Sequence, residues 1–189
     1  MISLGVVDTI YYRDNAGVCM VKFEEHEARA KTNSLFRPIM QILDKLAKRS
    51  DEVLVEFDKD KLDSESLSAF MADFSDLEYI YDELMDKLGS TLQDIPSESR
   101  IAKDTLRLLQ TIKEIFEDIR IKADSIEGFL KPSVPKNVNI LDELIAQLND
   151  AIKRLREMLS IKIREHIQNL ISEYIKFEGF LSESIDIEE

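Results

Sequence analysis

The sequence predicts an α+β fold, predominantly α: a small N-terminal β-hairpin unit followed by a long-helix bundle with coiled-coil-like spacing. Three observations carry this. In the stretch after Asp63, apolar residues fall at Leu67, Phe70, Phe74, Leu77, Tyr81, Leu84 and Leu88, in steps alternating three and four. That spacing puts one apolar stripe on a helix and requires another helix to cover it. The rhythm returns at Ile101, Leu108, Ile112, Ile115, Ile119 and Ile126, and again at Ile163, Ile167, Leu170, Tyr174, Phe177 and Leu181. Finally, five Gly and four Pro leave little material for the many turns of an all-β fold.

Taken in order, residues 2–12 and 18–23 are rich in Val, Ile, Tyr and Phe, and Arg13-Asp14-Asn15-Ala16-Gly17 lies between them. Asp, Asn and Gly favour turns, so this start reads as a hairpin. Ser34 is placed to cap a helix over 35–49, with Pro38 in its first turn, where the missing N–H costs little. Val53-Leu54-Val55-Glu56-Phe57 then reads as a third strand, closing a unit over 1–62.

The helical part, 63–189, opens at Asp63 or Ser64, either of which can cap a helix over 64–88. Gly89 is the expected C′ residue, followed by a linker near 89–98. A third helix spans about 98–130. It carries a second apolar row at Leu109, Phe116, Ala123 and Leu130, as in a helix packed by several neighbours. Pro132 and Pro135 stop it within a linker near 131–139. Asn137 or Asn139 caps a fourth helix that runs to about residue 183, a rod of roughly 65 Å. At Leu155, Leu159 and Ile163 its apolar steps are fours in succession. Such a stutter unwinds a supercoil or marks a bend, and Gly179 is a second candidate break.

Composition narrows the function classes. The formal net charge is −13, so nucleic acid is repelled at long range and direct binding to it is not expected. The acids are uneven: 58–98 holds twelve against three bases, whereas 151–176 holds six bases against three acids. Either the acidic second helix lies beside the basic part of the fourth, or complementary faces meet between chains. No apolar run reaches membrane-spanning length, and the helices lack the Lys/Arg-rich face that anionic lipid requires. The start lacks a basic n-region and meets Asp8 early, unlike a secretory leader. The lone Cys19, set among Val18, Met20 and Val21, reads as a small core residue. A reducing cytoplasm is the expected compartment.

Candidate chemistry is sparse. Glu83 and Asp86 on the second helix, and Glu114 and Glu117 on the third, are acid pairs three apart that share a face and could hold Mg²⁺ or Mn²⁺. In spacing, this resembles the metal clasp of the all-α nucleoside triphosphate pyrophosphohydrolases. The further acids and the phosphate-binding Lys or Arg of that family's pattern do not accompany it. What the resemblance implies is a metal-dependent nucleotide hydrolase. Di-iron bundles need Glu three residues before His, and neither His26 nor His166 has it. Zinc clusters, a nucleophile elbow and a Gly-rich phosphate loop have no counterpart in the sequence. Of the tyrosines, Tyr81 and Tyr174 lie on apolar rows. Tyr11 and Tyr12 face opposite sides of a strand, which leaves one of them for recognition.

The expected function is therefore non-catalytic, without cofactor or metal: an intracellular scaffold, adaptor or assembly subunit that binds a protein partner or a second copy. The residues expected to carry it are Ile167, Leu170, Tyr174, Phe177 and Leu181, because a fourth rod of that length outruns its partners. The alternatives are the hydrolase and an acidic inhibitor of a basic, nucleic-acid-binding partner.

Overall fold

The computed structural model describes residues 21–93, 99–131 and 138–185, with side chains over 29–93, 99–131 and 138–177. They form α1 Val21–Val53, α2 Ser64–Leu92, α3 Arg100–Leu130, α4 Val138–Glu157 and α5 Ile163–Ile185, with a π-helical turn, Met158–Lys162, joining the last two. No strand occurs among the described residues. The expected α+β class is thus corrected to a mostly α fold.

Two local conflicts explain the correction. Val21 and Phe23, expected in the second hairpin strand, open α1 instead. The run after them is rich in Glu, Ala, Arg and Lys. Its helix propensity, summed over several turns, overrides the β preference of two or three residues. Residues 2–12 and the expected turn, with Tyr11, Tyr12 and Cys19, lie outside the described residues. At the other end of α1, Leu54–Phe57 are neither helix nor strand. The Phe57 N–H donates to Asn149 Oδ1 at 2.8 Å, and Asn149 Nδ2 donates to the Phe57 carbonyl at 2.9 Å. One side-chain amide from α4 thus supplies the two bonds a neighbouring strand would supply. Asn149→Leu is expected to cost about 1–3 kcal/mol, since it strands both backbone groups; urea denaturation followed by circular dichroism measures it.

The boundaries shift for similar reasons. Pro38 lies well inside α1 rather than in its first turn, so the Ser34 carbonyl loses its helical donor there. Gly89 does not end α2; the helix continues to Leu92, and the apolar row gains a further buried member at Thr91. At its start the cap is as expected. Asp63 Oδ1 accepts from the Ser66 N–H at 2.7 Å, and Ser66 Oγ accepts from the Asp63 N–H at 3.1 Å. These bonds hold the Asp63 carboxyl below its usual range, the Ser66 backbone contributing most.

The chain divides into two compact units: Pro38–Leu170, and Met1–Arg37 together with Ile171–Glu189. The division falls at 37/38 and 170/171. In the first unit, α3 packs against both α2 and α4. Arg49 and Lys45 of α1 pair with Asp73 and Glu83 of α2. Asp51 and Asp44 of α1 pair with Arg156 before the π turn and Arg164 after it. Rising numbers on α1 meet falling numbers on both neighbours, so it runs antiparallel to each. The unit is therefore an up-down-up-down four-helix bundle. α1 lies between acidic α2 and the basic fourth rod and turns bases to one and acids to the other. Among the described residues, no ion pair joins α2 directly to the fourth rod.

The core follows most of the rows read from the sequence, but Ile101, Leu108 and Leu130 of those rows are only half-buried. All seven α2 positions from Leu67 to Leu88 are buried, as are Leu109, Ile112, Ile115, Phe116, Ile119, Ala123 and Ile126 of α3. On the fourth rod the row runs through Ile152, Leu155, Leu159, Ile163, Ile167 and Leu170. Four residues of α-helix turn through about 400°, so three such steps in succession swing a row about 120° around its axis. The π turn lies at that stutter, with the Ile163 N–H bonded to the Met158 carbonyl five residues back. Its extra residue absorbs about 100° of the swing and keeps Ile163 and Ile167 facing inward.

Tyr81 carries one polar atom into this core, where its hydroxyl donates to the Leu109 carbonyl at 2.5 Å. Burial, with a smaller contribution from the Asp82 charge, raises the phenol well above its ordinary value. A raised pKa adds stability that is complete below the unfolded value near 10 and is lost as pH rises above it. Relative to Tyr81→Phe, the wild type is expected to lose about 1.4 kcal/mol per pH unit above about 10. Thermal melts of both proteins from pH 8 to 11.5 read the difference.

In the second unit, Phe36 and Tyr174 meet edge to face at 5.7 Å, both buried, and Thr32 is buried as well.

Candidate functional site

The helical spacing of α2 places Tyr79, Asp82, Glu83 and Asp86 on one face, beside the buried row at Leu77, Tyr81 and Leu84. Across from them stand Pro38, Ile42 and Lys45 of α1, and between the two helices lies an open groove of about 690 Å³. Ile42 is buried at its floor, whereas Tyr79 is 74% exposed. Lys45 Nζ meets Glu83 Oε2 at 3.6 Å across the groove. Asp82 and Asp86 make no ion pair among the described residues, nor does the Tyr79 hydroxyl make a hydrogen bond there. The Tyr79 ring thus stands in water beside Asp82 and Asp86, with Lys87 in the same lining. A second groove, of about 520 Å³ between α3 and α4, has Asp118, Glu143 and Asp150 interleaved with Lys122 and Arg154 and contains no aromatic residue.

The residues singled out from sequence are distributed differently from the expectation. Glu83 and Asp86 line the α1–α2 groove. Glu114 and Glu117 are exposed on α3, where Glu114 accepts from Gln110 Nε2 at 3.2 Å. The two acid pairs therefore do not close on one groove, because Glu83 points to the α1 side of α2 while Phe74 and Tyr81 point to α3. No three His, Cys, Asp or Glu form a group that could hold a metal among the described residues. His166 is half-buried, and the side chain of His26 lies outside the described residues.

Of the late-rod row, Ile167 and Leu170 are fully buried and Tyr174 is 4% exposed. Phe177 is half-buried, and the side chain of Leu181 lies outside the described residues. The first three are covered by the chain itself and offer no free face. Sequence reasoning passed over the α1–α2 groove. Its signal was Tyr79, an aromatic residue lying off the apolar row two positions before Tyr81.

Among the described residues, no helix is long and apolar enough to cross a membrane. Comparison with known proteins finds no matching family model, no matching curated relative and no matching solved structure.

Proposed function

We propose that this chain is a non-catalytic intracellular scaffold or adaptor that binds a protein partner on the α1–α2 face of its bundle. The observation that supports this is Tyr79, 74% exposed at an open groove whose lining holds three acids, Asp82, Glu83 and Asp86, against two bases, Lys45 and Lys87. Tyrosine supplies a large, rigid contact area and recurs at the energetic centres of interfaces. The bundle interior is filled by apolar side chains, so what a ligand meets is the outer surface.

A photo-crosslinking residue placed at position 79, with position 121 on α3 as reference, tests this in cells of the native source. Ile121 is also well exposed. The expected result is a discrete crosslinked product from position 79 and none of that mass from position 121. No product from position 79, or the same products from both positions, would overturn the proposal.

A further inference from the structure

We infer that the α1–α2 groove receives a basic amphipathic helix from the partner protein. This rests on the groove being the docking face, and three features of the groove select its occupant. The first is shape. The groove-facing stripe of α2 runs from Tyr79 to Ser90, about 17 Å at the rise of an α-helix. Two antiparallel helices leave a trough along which about three turns of another helix can lie, as in helix-in-groove recognition.

The second is backbone chemistry. An extended peptide gains affinity by adding main-chain hydrogen bonds to an exposed sheet edge. The described residues contain no strand, and both groove walls are helices whose amides and carbonyls are bonded internally. A helix satisfies its own backbone and so suits such walls. Its apolar positions four apart would rest on Pro38, Ile42 and the Tyr79 ring.

The third is charge. α2 carries seven acids and a single base, Lys87. Lys45 is engaged by Glu83, so the free charges of the lining are Asp82 and Asp86 against Lys87. Lys or Arg beside the partner's apolar stripe would meet those carboxylates, and a cation over Tyr79 would gain from the ring face. The same field repels phosphate backbones and anionic lipid.

The test titrates the full chain, labelled with ¹⁵N, with three synthetic helical peptides of equal length and identical apolar stripe. Their flanking positions carry Lys/Arg, Gln or Glu. The expected result is that amides near Ile42 and from Tyr79 to Asp86 shift on titration. The Lys/Arg peptide should bind at least tenfold more tightly than the Gln peptide at low salt, and the Glu peptide least. An Asp82→Lys/Asp86→Lys variant, whose melting temperature confirms its fold, should lose that preference. If the Gln or Glu peptide binds the groove as tightly, the groove is a docking face but its occupant is not basic. If no peptide shifts the groove amides at millimolar concentration, or shifts only others, the docking face itself is wrongly placed.

Discussion

Replacing Phe116 by alanine is expected to remove about 3–5 kcal/mol of stability. The ring is 1% exposed. It lies 5.2 Å from Phe74 and 5.1 Å from Tyr81, centroid to centroid. Phe74 stacks on Phe70 at 5.4 Å, and Phe70 meets Phe57 edge to face at 5.0 Å. A continuous line of rings thus joins the segment after α1 to α2 and then to α3. Truncation at its α3 end forfeits the transfer energy of the ring and leaves a cavity that two rigid helices cannot close. Set against the 5–15 kcal/mol typical of a domain, about a fifth or more of the total would go. Urea denaturation should show a lower midpoint with an unchanged slope. Phe74→Ala should combine with it less than additively, since the two rings share one space. Leu106→Ala, at a half-exposed site on the same helix, should cost less than about 0.5 kcal/mol.

Deleting single residues separates the π turn from the rest of the bundle even more sharply. Lys113 is exposed in the middle of α3. Its deletion rotates one half of the helix against the other by about 100°. Either the row before Lys113 or Ile115, Phe116 and Ile119 after it must then leave the core, so the deletion variant is expected not to fold. Deleting Ser160 should change stability by less than about 1 kcal/mol, because the π turn already holds one residue more than an α-helix needs. Among the described residues, the side-chain bond lost is Ser160 Oγ to the Arg156 carbonyl, which is local. Circular dichroism melts of both variants provide the measurement. If Ser160 deletion is as damaging as Lys113 deletion, the extra residue is not what keeps Ile163 and Ile167 inward.

How much of this was legible in the sequence depends on the range of the forces involved. Helical rows are local, and α2 and α3 could be read nearly residue by residue. The stutter where the π turn lies could be placed for the same reason, since three steps of four from Leu155 through Leu159 and Ile163 to Ile167 cannot stay on one face of a regular helix. Long-range pairings could not be read. Asn149 bonds to Phe57 across 92 positions, and no local pattern announces that a side-chain amide will replace a strand. What covers Tyr174 on the late-rod row could not be read either, because its neighbour lies far away in sequence. Phe36 lies within the helix expected from 35, but no local pattern pairs it with Tyr174. In the structure α1 begins at Val21, and Phe36 packs on that ring. The acidic and basic segments were recognised, but the place of α1 between them could not be read, because it is a property of the bundle and not of either segment.

What remains for a partner is decided by whether the fourth rod's row is consumed within one chain. Hydrogen–deuterium exchange of the Ile163–Leu170 amides, measured at protein concentrations a hundredfold apart with light scattering on each sample, tests this directly. The expected result is strong protection, matching that of Leu67–Leu88, in a monomer and independent of concentration. Fast exchange in the monomer that slows only as chains associate would mean that this row awaits a second chain, and that the α1–α2 groove is not the face left for binding.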